Sequence, residues 1–99
     1  MPKYVVSKAA ESDMTGIALH TKETWGTGQA VRYISSLRDC FQFLADNPGV
    51  GRTCDSVSAG LHRYEQGKHV IFFRVKSGSI RVVRVLHQRM LPMKSRFEA

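Results

Sequence analysis

The chain has 99 residues, 42% apolar and 23% charged, with two cysteines and a formal charge of +7. That size sustains one domain over 1–99, with a single modest core and a net stability of roughly 5–15 kcal/mol, and the composition is globular rather than disordered. No apolar run approaches the about 20 residues of a membrane span, and the opening MPKYVVSKAAESD lacks the apolar core of a secretion signal, so a cytoplasmic location and no membrane partner are expected.

KYVV, residues 3–6, is β-branched and aromatic and predicts an opening strand. Ser7 reads as an N-cap, with Glu11 and Asp13 early in the helix that follows to suit its dipole. Ala10, Met14, Ile17, Ala18 and Thr21 recur at helical spacing up to Trp25, where WGTG breaks the period. Gly26 supplies a backbone turn closed to other residues, and Thr27 is the expected cap of the next helix.

The second helix has the clearest pattern. Ala30, Tyr33, Ile34, Leu37, Cys40, Phe41, Leu44 and Ala45 keep the 3.6-residue period without a miss, and Asn47-Pro48-Gly49 ends it. Two helices joined by so short a turn predict an antiparallel hairpin whose apolar stripe needs a sheet to lie on.

After residue 50 the period falls to two. Residues 58–65, 69–75 and 79–87 read as strands, separated by Gln66-Gly67-Lys68 and Lys76-Ser77-Gly78, which have hairpin-turn composition. The expected fold is therefore α+β: an N-terminal strand and a helical hairpin packed on one face of an antiparallel four-stranded sheet, whose last three strands form a meander.

The charge follows the same division. Residues 1–60 balance six Lys and Arg against six Asp and Glu, whereas residues 61–99 hold nine Lys and Arg against Glu65 and Glu98 alone. The whole +7 lies in the second part, which points to an anionic partner, an acidic protein or nucleic acid.

Two of the strands carry apolar residues on both faces. In the middle one, His69, Ile71, Phe73 and Val75 alternate with Val70, Phe72 and Arg74. In GSIRVVRVLHQRM, residues 78–90, Ile80, Val82, Arg84 and Leu86 share one side by simple alternation, and Arg81, Val83, Val85 and His87 the other. The helices cover one face, and the expectation is that a second molecule covers the other. Met90, Leu91, Met93 and Phe97 make the tail apolar, and they join Arg74, Arg81, Arg84 and His87 as candidate contacts to a partner or target.

Little chemistry is legible. Cys40 and Cys54 have no C-x-x-C or ligand spacing and read as reduced thiols, with Cys40 on the buried side of its helix. No clustered carboxylates, metal ligands or phosphate loop stand out, so no cofactor or metal is expected. What the residues allow is metal-independent RNA cleavage, with His87 or His62 as acid or base and Arg63, Arg74, Arg81 and Arg84 around the phosphate.

The order strand, two helices, three strands resembles the ParE branch of the RelE/ParE superfamily of bacterial toxins. The resemblance covers almost the whole chain and is carried by LADNPGVGR (44–52), AGLHRYEQGKHVIFFRV (59–75) and RVLHQRM (84–90). It implies a toxin that poisons DNA gyrase and is neutralised by an acidic, partly disordered antitoxin, with no specific nucleic acid as partner. RelE-type cousins share the fold but cut messenger RNA on the ribosome with Lys, Arg and a terminal Tyr or His. No tyrosine follows Tyr64 here, and MLPMKSRFEA lacks a clear acid or base, which favours the ParE branch. RNA cleavage by His87 and the arginines is the alternative.

Overall fold

The computed structural model describes residues 3–90 and 92–97. Lys3–Val6 forms strand β1, Lys8–Trp25 helix α1, Thr27–Asp46 helix α2, Arg52–Thr53 strand β2, Leu61–Gln66 β3, His69–Lys76 β4 and Ser79–His87 β5. The strands make one sheet in the order β1-β5-β4-β3-β2, with β1 parallel to β5 and the other neighbours antiparallel. The α+β class and the helical hairpin agree with the sequence. The sheet is mixed and five-stranded rather than antiparallel and four-stranded: β1 lies parallel to β5, and Arg52–Thr53 adds a two-residue antiparallel edge too short to show a period.

The Ser7 hydroxyl does two things. It accepts the Ala10 N–H at 3.0 Å, capping α1, and donates to the Val83 carbonyl of β5 at 2.8 Å. Gly26, at φ 91°, joins the helices alone: its N–H closes α1 on the Lys22 carbonyl at 2.9 Å, and it holds the position before α2. The expected cap Thr27 is instead the first residue of α2, which has no side-chain cap. At the other end Asn47 donates to the Phe43 carbonyl at 3.0 Å, where Pro48 bars a further turn.

The apolar stripes of both helices meet the sheet. Met14, Ile17, Leu37, Phe41 and Leu44 pack on Ile71, Phe73, Ile80, Val82 and Val85. Leu37, Phe41 and Leu44 are fully buried, each contributing about 1.5–3 kcal/mol.

Simple alternation fails in β5. Phe73 pairs with Val82 but Phe72 pairs with Arg84, so Val83 is an extra residue, a β-bulge. The face assignment beyond it reverses: Val85, not Leu86, joins Ile80 and Val82 under the helices, and Leu86 packs on the opposite side. The bulge frees backbone groups, and α1 satisfies them. Ser7 takes the Val83 carbonyl, and an Asp13 carboxylate oxygen accepts the Val85 N–H at 3.0 Å.

The second face is covered by the chain itself, not left open as expected. Cys54, Leu61, Val70, Phe72, Leu86 and Phe97 form a second cluster, with Val57 and Val83 packed on it. The loop at 54–60 is pinned by Arg74, which donates to the Ala59 carbonyl at 2.7 Å and to Ser58 Oγ at 2.8 Å. Phe97 lies against Phe72 with ring centroids 4.8 Å apart. Neither covering segment has a helical or strand period, so the sequence pattern carried no sign of them. Both cysteines are free and buried, and burial pushes the Cys40 thiol up.

Candidate functional site

The bulge also sets the site. The two-residue turn Ser77-Gly78 pairs Lys76 with Ser79, and that register continued unbroken would set His69 opposite Leu86. One extra residue moves His87 opposite His69, on the helix side of the sheet. Their rings lie edge to face with centroids 5.4 Å apart. His20, near the end of α1, completes a cluster of three imidazoles.

His69 and His87 are each held through Nδ1. The His87 Nδ1 accepts the Arg89 N–H at 3.1 Å, which leaves the ring proton on Nε2. The His69 Nδ1 lies 2.6 Å from the Tyr33 hydroxyl, which itself accepts the Lys68 N–H at 3.2 Å. Burial, then the neighbouring His87 and His20, push His69 down to about 4, so its ring is neutral at pH 7. Burial likewise holds the Tyr33 phenol above its usual range, against the opposite pull of the Lys68 N–H.

Two adjoining cavities of about 340 and 470 Å³ share His20, His69 and His87 in their walls. The smaller runs over Ile17, Val85, Leu86 and Met90; the larger reaches Tyr33, Lys68 and the indole of Trp25, which is 68% exposed. Asp13 lines the smaller cavity, but Arg84 claims its carboxylate, with Nε–Oδ2 at 2.7 Å and Nη2–Oδ1 at 2.8 Å. That pairing pushes the Arg84 guanidinium up, against an opposing desolvation. Among the described residues no group of three or more His, Cys, Asp and Glu side chains is placed to hold a metal ion.

The candidates named from sequence do not converge. His87 enters the groove. Arg84 is tied to Asp13 and to the Arg96 carbonyl at 3.1 Å. Arg63 lies over the Phe72 ring, 5.8 Å from its centroid, and pairs with Glu65, which Arg52 also binds. Arg74 pins the 54–60 loop, and Arg81, its cross-strand partner, is exposed. His62 stacks on Phe73, away from His87. In the tail Met90 and Met93 are exposed and Phe97 is buried, while Leu91 lies outside the described residues. His20, His69, Tyr33, Lys68 and Trp25 were not singled out in the sequence. His20 stands on the polar side of its helix, and the His69–His87 pairing depends on a bulge that no pattern announced.

The fold has solved counterparts. It matches a structure titled "Chromosomal ParDE TA system from P. aeruginosa" with a TM-score of 0.74 at 20% identity, over 88% of this chain and 96% of that one. That likeness defines the class, a small α+β fold of a helical hairpin on a sheet. Sequence narrows it further. The chain is 40% identical over 89 residues to Toxin ParE1 of Mycobacterium tuberculosis, 89% of this chain and 91% of the relative. It is 34% identical over 90 residues to Toxin ParE1 of Caulobacter vibrioides, 91% and 93% of the two chains. The family model of the ParE toxin of the type II toxin–antitoxin system parDE matches residues 4–92. The chain belongs to the ParE toxin family.

Proposed function

We propose that this ParE-family toxin arrests growth by poisoning DNA gyrase in the cytoplasm, without chemistry of its own, and that an acidic antitoxin, partly disordered when free, neutralises it. The engagement of the candidate RNA-cleaving groups carries the first part: Arg63 and Arg74 bind within the fold away from His87, and Arg84, whose partner Asp13 lines the His87 cavity, is taken up by that carboxylate. A general acid or base needs its phosphate-binding cations within reach of one substrate atom. A poison that wedges a topoisomerase needs only a surface. The antitoxin reading draws on the +7 charge of residues 61–99 and on exposed Arg81, Met90 and Met93, which suit a segment that folds on binding with apolar anchors and charge steering.

Purified toxin is added to a gyrase supercoiling reaction and, separately, to a translating extract scored for messenger cuts. Loss of supercoiling with accumulation of cleaved DNA is expected, with the extract unaffected. Cuts in the extract with gyrase untouched overturn the reading.

One observation favours a second reading, messenger cleavage of the RelE type: two imidazoles in ring contact beside Lys68 form an acid, a base and a cation at one groove. On that reading His87→Ala lowers the cutting rate by about 10²–10⁴-fold.

A further inference from the structure

We propose that the groove of His20, His69 and His87 binds a nucleoside phosphate, the phosphate held by the imidazoles and Lys68 and the base laid against Trp25. The site is not one the toxin fold needs for stability: an indole left 68% exposed beside a cavity of about 470 Å³ gives up burial that the core offers elsewhere. That volume is within the range of small-ligand pockets, which run about 300–1,000 Å³.

The donors are built for an oxyanion. With Nδ1 of His87 occupied by the Arg89 N–H, its Nε2–H is a donor of fixed tautomer. The Tyr33 hydroxyl, which accepts the Lys68 N–H, has the His69 Nδ1 at 2.6 Å and the Gln66 carbonyl at 3.5 Å; with its proton in the shorter bond, neutral His69 presents a second donor at Nε2. The charged and titratable groups facing this pair are His20 and Asp13 from α1, Tyr33 from α2 and Lys68 from the β3–β4 turn. Only Asp13 is acidic, and Arg84 neutralises it. A phosphate monoester matches them because its three acceptor oxygens, carrying a charge of about −1.5 to −2, can take these N–H donors and the Lys68 ammonium together. A peptide carboxylate fits less well: it would use few of these donors and leave the indole bare. Bases of any kind stack on an aromatic face, so no sequence is read.

The shared chemistry is a base with a phosphate, and it has two sources, a free mononucleotide or a nucleotide within a single strand. The test titrates the full chain with inorganic phosphate, adenosine 5′-monophosphate and a short oligothymidylate. Histidine Cε1 resonances and the fluorescence of the single tryptophan are the readouts. The expected result is that the nucleotide moves the His20, His69 and His87 resonances and quenches Trp25, whereas inorganic phosphate moves the resonances alone. Trp25→Leu should reduce nucleotide affinity to that of inorganic phosphate, and His87→Ala should weaken nucleotide and inorganic phosphate alike several-fold, both with an unchanged circular dichroism spectrum. Tighter binding of the oligonucleotide assigns the single strand as the source; equal binding assigns the free nucleotide. Silent histidine resonances with all three probes overturn the proposal. So do resonances that respond only to an antitoxin, which would make the groove a protein interface. A toxin inactive on gyrase leaves this result unaffected, since no gyrase enters the assay.

Discussion

Arg84 and Asp13, 71 residues apart in the chain, meet in a two-point ion pair with contacts of 2.7 and 2.8 Å, and the same Asp13 carboxylate caps the Val85 N–H of the bulge. Their side chains are only 20% and 14% exposed, so the pair sits where removing one partner strands the other. Asp13→Ala is expected to destabilise the fold by about 3 kcal/mol, and Arg84→Ala by somewhat less, since Asp13 keeps the Val85 N–H. Denaturant unfolding of the two single variants and the double variant should show a coupling of about 1–3 kcal/mol. Additive losses would mean that the pair does not act as a unit.

Ser7 serves the same bulge from the other side, as donor to Val83 and cap of α1. Ser7→Ala removes both bonds, and a loss of about 2 kcal/mol is expected, the upper end for a helix cap. Ser7→Gly should lose nearly as much, because the Val83 bond is gone in either case, whereas at an ordinary cap glycine costs only a few tenths. Thermal melts of the two variants give the comparison.

These contacts show where the sequence was legible and where it was not. The faces of β4 followed from alternation, as did the helix stripes, because each is fixed by a period over several residues. Beyond Val83 alternation misassigned Arg84, Val85, Leu86 and His87, since an inserted residue leaves no compositional mark on a strand apolar on both sides. The cover over Phe72 came from an aperiodic loop and from Phe97 in the tail, segments whose burial depends on long-range packing alone. Cys40 was placed correctly because its neighbours fixed the helix face. The histidine cluster was missed for a related reason: its members come from α1, β4 and β5, and only the shifted register brings two of them together.

The pH dependence has a definite sign. His69 falls to about 4 in the fold from the usual 6.5, so between those values the unfolded chain binds more protons. Stability is therefore unaffected by this group above about pH 6.5 and declines as pH falls toward 4. His69→Gln should flatten the slope of unfolding free energy across that window while keeping the Tyr33 contact within reach of its amide. An unchanged slope would show that His69 titrates normally.

The tail divides into a structural and an exposed part. Phe97→Ala empties a buried site against Phe72 and should cost about 2–3 kcal/mol, a little under the usual range for buried phenylalanine because the site is at the surface edge. Met90→Ser and Met93→Ser act on exposed side chains and should leave the melting temperature within about a degree of the parent. If these methionines anchor the antitoxin or the target, the same pair of changes weakens that binding by at least about tenfold. Calorimetric titration of the folded double variant against the antitoxin, alongside the gyrase assay, assigns the contact to one partner, the other, or neither.

Charge makes the last prediction. With +7 concentrated in residues 61–99, an acidic antitoxin should be drawn in by long-range attraction, which acts on the association rate and is screened by salt over about 8–10 Å. Arg81 tests this cleanly, since it is exposed, lies beside Arg74 across the strands, and sits apart from the Arg84–Asp13 pair. Arg81→Glu should slow association several-fold at low salt and leave dissociation nearly unchanged, with the difference from the parent vanishing near 1 M salt, where the screening length falls to about 3 Å. Stopped-flow mixing of the two proteins over a salt series reads both rates. A parent association rate flat across the series would show that the basic half of the chain does not steer its partner.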